Sequence, residues 1–234
     1  MTRTLTSLLA TVPMTRTLTS LLATVTASCI LIAGTGDVFA QAGQHTMVAM
    51  ATSSTKASGL RSTLNTLFQE HIYLASAATG TALGGRDTEF KAAAAALDAN
   101  SVAISKAIGS VYGQGAEDAF LPLWRKHIGM LVDYTVGVAT SDKAKQDKAV
   151  ADLIMYTQDS GAFLQSANPG LPKSVVADLV KHHVVTLKDV IDAQASKDQP
   201  RAYMAVRTAA GHMQQIADPL AEAIVKQFPD KFGG

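Results

Sequence analysis

A histidine returns at one interval along this chain: His71, His127 and His183 are each 56 residues apart. Each sits in a matching frame, Leu67-Phe68-Gln69-Glu70-His71-Ile72, Leu123-Trp124-Arg125-Lys126-His127-Ile128 and Leu179-Val180-Lys181-His182-His183-Val184. A period of that length marks a repeated supersecondary unit. The unit is helical, because apolar residues fall three and four positions to either side of each histidine. Around His127 these are Leu123, Trp124, Met130 and Leu131, with Tyr134 and Val138 beyond. His71 has Leu64, Leu67 and Phe68 before it and Leu74, Ala75 and Ala78 after it; His183 has Leu179, Val180, Leu187 and Val190. At 3.6 residues per turn all three histidines point into a core. His182, one step round, shares its face with Asp178 and Thr186 and points toward the surface.

The helical pattern runs from Leu60 to about Phe228 and is interrupted only by short punctuation. The breaks are Gly84-Gly85-Arg86-Asp87, Tyr112-Gly113-Gln114-Gly115, Thr140-Ser141-Asp142, Asn168-Pro169-Gly170-Leu171-Pro172 and Lys197-Asp198-Gln199-Pro200. Each carries glycine, proline or a capping residue, the chemistry that stops one helix and starts the next. Six helices are predicted, over about 60–83, 87–110, 117–140, 143–167, 172–196 and 200–228. Connections this short make neighbours antiparallel, so the six pair off as αα-hairpins. The predicted fold is all-α, a six-helix up-and-down bundle of three αα-hairpin repeats of about 56 residues. No stretch alternates as a strand does. Pro219 is expected to kink the last helix, since it removes one intrahelical bond and crowds the carbonyl of Gln215.

The amino-terminal part reads differently. Met1 to Val12 recur word for word as Met14 to Val25, and Arg16 is followed by an apolar run from Leu21 to Ala33 and small residues ending in Val38-Phe39-Ala40-Gln41-Ala42. That layout predicts a secretory signal peptide over 1–42, with a duplicated amino-terminal segment, and export to a periplasm or the outside. Residues 43–59, polar and small, read as a disordered leader, and 60–232 as the helical domain. A single run interrupted by Thr, Ser and Gly is a poor permanent membrane span. The only cysteine, Cys29, lies within that run, so the mature chain would have neither disulfides nor thiolate metal sites. With 20 basic and 19 acidic residues the charge is +1, which gives no electrostatic case for nucleic acid or an anionic membrane. Nothing in the sequence fixes an oligomeric state.

The second helix of each predicted hairpin also carries a polar group on its apolar face: Asn100 between Leu97 and Ile104, Asp159 between Met155 and Phe163, His212 between Ala209 and Ile216. In an antiparallel pair, residues equidistant from the turn lie at one height, because both helices rise about 1.5 Å per residue. His71 and Asn100 are so placed about Gly85-Arg86, and His183 and His212 about Lys197-Asp198; His127 and Asp159 fit with about one turn of slack. The expectation is a polar belt of His71, His127, His183, His212, Asp159 and Asn100.

Buried polar groups must be paired or coordinated. One solution is a hydrogen-bonded network in which the histidines donate to carbonyls or to Asp159 and only fix the fold. Another is a transition-metal site, since imidazoles from separate helices plus a carboxylate suit Cu, Zn, Fe or Mn, and bundle cores commonly hold such ions. Met130, Met155 and Met213 lie near and tilt the choice toward copper. A third is haem with two axial histidines, for which the aromatic residues, 6% of the chain, are few. A secondary metal site arises if the signal is cut after Ala42: the new terminus Gly43-Gln44-His45, with Met47 and Met50 behind it, offers square-planar nitrogen ligation. Cutting after Ala40 removes it.

No Gly-x-Ser-x-Gly elbow, phosphate-binding glycine loop or His-Glu-x-x-His motif is present, so enzyme chemistry has no signature here. Glu70 directly precedes His71 and cannot share its face as ferritin-like Glu-x-x-His pairs require. With Glu70-His71-Ile72, Lys126-His127-Ile128, Gly211-His212-Met213 and the ending Gln227-Phe228-Pro229-Asp230-Lys231-Phe232, residues 60–232 resemble a group of secreted bacterial helical proteins of unassigned activity. That resemblance implies export and an all-helical core. Hemerythrin-like bundles are a structural analogy only, because their ligand spacings are absent. The functional expectation is an exported, non-catalytic metal-binding bundle in metal handling or sensing, against a structural or interaction module and a redox protein on the same metal.

Overall fold

A computed structural model describes residues 55–232. The signal peptide, most of the leader and the Gly43-Gln44-His45 site lie outside the described residues. Seven helices pack against one another and no strand occurs among the described residues: α1 (Lys56–Leu83), α2 (Asp87–Tyr112), α3 (Gln114–Ala139), α4 (Lys143–Ala167), α5 (Lys173–Ala195), α6 (Gln199–Gln227) and the single turn α7 (Pro229–Phe232). None is long and apolar enough to cross a membrane.

Local chemistry sets the ends. Helix α1 begins four residues before the expected Leu60, because the Thr55 hydroxyl accepts the Ser58 amide at 3.1 Å and so caps an orphan donor. Asp142 and Asp198 cap α4 and α6 likewise, accepting from Lys145 and Arg201 at 3.0 and 3.1 Å. Three turns share one backbone pattern. The amides of Arg86, Asp142 and Asp198 reach back to the carbonyls of Thr81, Gly137 and Ala193 at 2.9, 2.8 and 3.0 Å, the Schellman closure. The residue before each donor is left-handed: Gly85 at φ 65°, Ser141 at 55° and Lys197 at 59°. Helices α2 and α3 are joined by Gly113 alone, whose φ of 91° and ψ of 172° admit a glycine and little else. Helix α6 continues through Pro219 to Gln227, and α3 likewise carries Pro122 in its interior.

Each helix from α1 to α6 packs on the next, and α6 packs on α1, closing a ring. Side-chain bonds give the directions. Arg125 to Asp98 and Ser105 to the Glu117 carbonyl run α3 antiparallel to α2, and Arg61 to Glu222 with Asn65 to Asp218 run α6 antiparallel to α1. Inside the ring α1, α3 and α5 touch one another. These three are parallel: Tyr134 on α3 donates to Asp192 on α5, and Gln194 on α5 donates to the Ser76 carbonyl on α1. The apolar core forms two clusters, one around Leu64, Phe68, Ile104, Phe120, Met213 and Ile224, the other around Ala75, Leu131, Tyr134, Leu187, Val190 and Ile191. Between them lies the layer that carries His71, His127 and His183.

Candidate metal centre

The three inner helices each bring one imidazole to this layer. His71, His127 and His183 are 1%, 3% and 4% exposed, and one ring nitrogen from each lies within 4.8 Å of the other two. Ring centroids stand 5.4 Å apart for His71 and His127, 5.7 Å for His71 and His183, and 6.1 Å for His127 and His183. The Nε2 atoms of His71 and His127 are 3.5 Å apart. Metal–imidazole bonds of about 2.0–2.1 Å, opened to a tetrahedral or trigonal angle, would set two ligand nitrogens about 3.3–3.6 Å apart. That pair already stands at ligand spacing, and a His183 ring nitrogen lies within 4.8 Å of both.

The Nδ1 atoms of all three are buried without a hydrogen-bond partner. Burial, followed by the neighbouring imidazoles His127 and His183, holds His71 well below its ordinary value. Burial and His183 pull His127 down to about 3 against a small opposing pull from the Trp124 backbone, and burial and His212 pull His183 down to about 4. At neutral pH all three are uncharged, the form that ligates a metal.

Aromatic rings fix the imidazoles. Trp124 meets the edges of His71 and His127 at 5.0 and 4.7 Å, and Tyr156 stacks on His127 at 5.0 Å and 28°. A cavity of about 50 Å³ opens beside His127 and His183, walled by Phe120, Trp124, Tyr156, Phe163 and Met213 among others. Its lining is almost wholly apolar.

The rest of the expected belt is arranged otherwise. Asn100 is buried, but its Nδ2 donates to the Leu67 carbonyl at 2.9 Å and to Glu70 at 2.8 Å. His212 is buried too; its Nε2 donates to the Leu179 carbonyl at 2.9 Å, and its ring stacks at 4.2 Å on the exposed His182. These two bonds join the same positions two periods apart, and both hold a side chain to backbone rather than to the triad. Asp159 is not in the belt: it is exposed and pairs with Lys126 at 3.3 Å. The residue one period from both Asn100 and His212 is Tyr156, and Asp159, three steps further on, is turned about 60° round the helix to the rim. Met155, adjoining Tyr156, is 67% exposed, and Met130 is half-buried; Met213 alone of the three methionines lines the cavity. Strict counting by 56 from Asn100 would have found Tyr156. Trp124 stood in the histidine frame, but as an aromatic it read as core filling.

No known protein family, curated protein or solved structure matches this chain.

Proposed function

We propose that this protein binds one transition-metal ion through His71, His127 and His183, copper first, and serves in metal handling or sensing without catalysing a reaction. The observation that carries the reading is the convergence of three buried, uncharged imidazoles, each offering a ring nitrogen within 4.8 Å of the others and two of them already at ligand spacing. His212 gives its Nε2–H to the Leu179 carbonyl, whereas the Nε2 atoms of His71 and His127 face each other.

Charge favours Cu(I) among the ions that imidazole suits. Asp159 is exposed and Glu70 is bonded to Asn100, so three neutral ligands would leave a divalent ion's full charge in an apolar layer, whereas Cu(I) leaves half of it. The Met213 thioether in the adjoining wall is compatible with the same choice. Zn, Fe and Mn follow, and haem finds no room in a cavity of about 50 Å³.

The fold belongs to the same proposal. Six helices form an up-and-down bundle of three αα-hairpins, each about 56 residues, around a pseudo-threefold axis through the triad. Three Schellman turns at that spacing and the paired Asn100 and His212 bonds support it. The amino-terminal pattern adds export to a periplasm or the outside, where copper is encountered.

The test is metal content by mass spectrometry of the untagged, exported protein, followed by titration of the metal-free form with Cu(I) and Zn(II) under thermal melting. One equivalent of Cu(I) should raise the melting temperature by mass action, and the variant with His71, His127 and His183 all changed to Leu should show no rise. A wild-type protein that stays metal-free and whose melting ignores both ions would end the reading.

A further inference from the structure

We propose that the apolar cavity beside the triad is a gas pocket, in which a neutral diatomic molecule takes the fourth coordination position of copper held by His71, His127 and His183. The inference rests on the metal reading and adds a ligand class to it.

Three imidazoles leave Cu(I) coordinatively unsaturated, with room for one further donor. The cavity meets two of the three ligand rings, those of His127 and His183, which places it beside the triad. About 10–15 Å³ suffices for one water, so about 50 Å³ accommodates roughly three to five water-sized atoms, room for a diatomic and not for a large ligand. Phe68, Phe120, Phe163 and Leu220 contribute no hydrogen-bonding side chain to it, and apolar cavities of this kind stay dry. An anion or a hydrated solute would give up its water for nothing in return, whereas a neutral diatomic loses almost no solvation on entering.

Besides the Nδ1 atoms of His127 and His183, the wall holds one further unsatisfied polar group, an indole N–H. Trp124 lines the cavity, and its Nε1–H is buried with no acceptor. A metal-bound diatomic whose outer atom is an acceptor would supply one, which selects the class of carbon monoxide, nitric oxide and dioxygen over an inert gas. The step is reversible binding: one metal–ligand bond forms, none breaks, and no electron leaves the protein.

Carbon monoxide is the probe, because it binds Cu(I) without oxidising it and its stretching vibration reports its surroundings. The protein is loaded with one equivalent of Cu(I), exposed to carbon monoxide, and read by infrared absorption alongside metal stoichiometry. One carbon monoxide per copper is expected. Val180→Phe and Leu123→Phe, which fill the cavity from two helices and leave all three ligands in place, should keep the copper and bind the gas at least 10-fold more weakly. Trp124→Phe should keep the gas and shift its stretching frequency, since the indole N–H is gone. Copper uptake without carbon monoxide binding overturns this inference alone, as does unchanged gas affinity in both filled variants. Failure to take up copper removes this inference together with the metal reading.

Discussion

Acid should unfold the metal-free protein from its centre. His127 and His183 are wholly buried, and burial with neighbouring imidazoles lowers them to about 3 and about 4. In the unfolded chain each returns to about 6.5. Below that value the unfolded chain takes up protons that the folded one refuses, so the stability they contribute is complete above 6.5 and falls as the pH drops toward the folded values. Each unit of pH costs about 1.4 kcal/mol per histidine, which makes about 2 kcal/mol each at pH 5 and about 4 kcal/mol for the two. His71, lowered by the same burial, acts in the same direction. A domain has about 5–15 kcal/mol in all, so a large part is gone by pH 5. Urea unfolding followed by circular dichroism in chelator, from pH 7.5 to 5, should move the midpoint down by on the order of 2 M for an m-value near 2 kcal/mol/M. The triple His→Leu variant should lose most of that slope. A wild-type midpoint that stays level between pH 7 and 5, or a triple variant that slopes as steeply, would refute the argument that these rings are held neutral.

Tyr156→Ala should cost about 3–5 kcal/mol in chemical denaturation, because it empties the space against His127, whereas Asp159→Ala should cost under about 1 kcal/mol, its partner Lys126 being exposed. Reversed magnitudes would restore Asp159 to the belt. Lys197→Gly and Ser141→Gly should each raise stability by up to about 1 kcal/mol, since both residues occupy the left-handed region that Gly85 fills at the first turn; unchanged or lower melting temperatures would contradict this. Asn100→Ala should lose about 1–3 kcal/mol through the bonds to Leu67 and Glu70, and it should leave copper stoichiometry intact. A loss of copper in that variant would place Asn100 in the metal site after all.

The helix ends are legible because each break carries its own chemistry: a left-handed residue followed by an aspartate cap at Ser141-Asp142 and Lys197-Asp198, glycine at Gly85 and Gly113, and proline at Pro172. Thr55 gives no such signal, since a threonine in a polar stretch marks a helix only when the apolar pattern after it is already under way, and here that pattern starts at Leu60. The triad was legible from spacing because burial and period agree at His71, His127 and His183. Asp159 misled because charge was weighed over register: the face of α4 tolerates a carboxylate at its rim, one turn from the buried Tyr156. What the sequence could not reveal was that Asn100 and His212 turn to backbone carbonyls, which depends on rotamers, nor that packing leaves a cavity beside His127 and His183, which depends on how well large rings fit.

The contact between α6 and α1 also limits how this architecture can change. Arg61 meets Glu222 and Asn65 meets Asp218 across 161 and 153 residues of chain. An open solenoid lengthens by adding another unit at an end, since each unit needs only its neighbour. A closed ring has no end to add to. An extra helix pair would have to force α1 from α6 and spread the three inner helices until their histidines no longer met, and a missing pair would leave two unpaired apolar flanks. The number of helices that can surround one histidine layer is therefore set by closure.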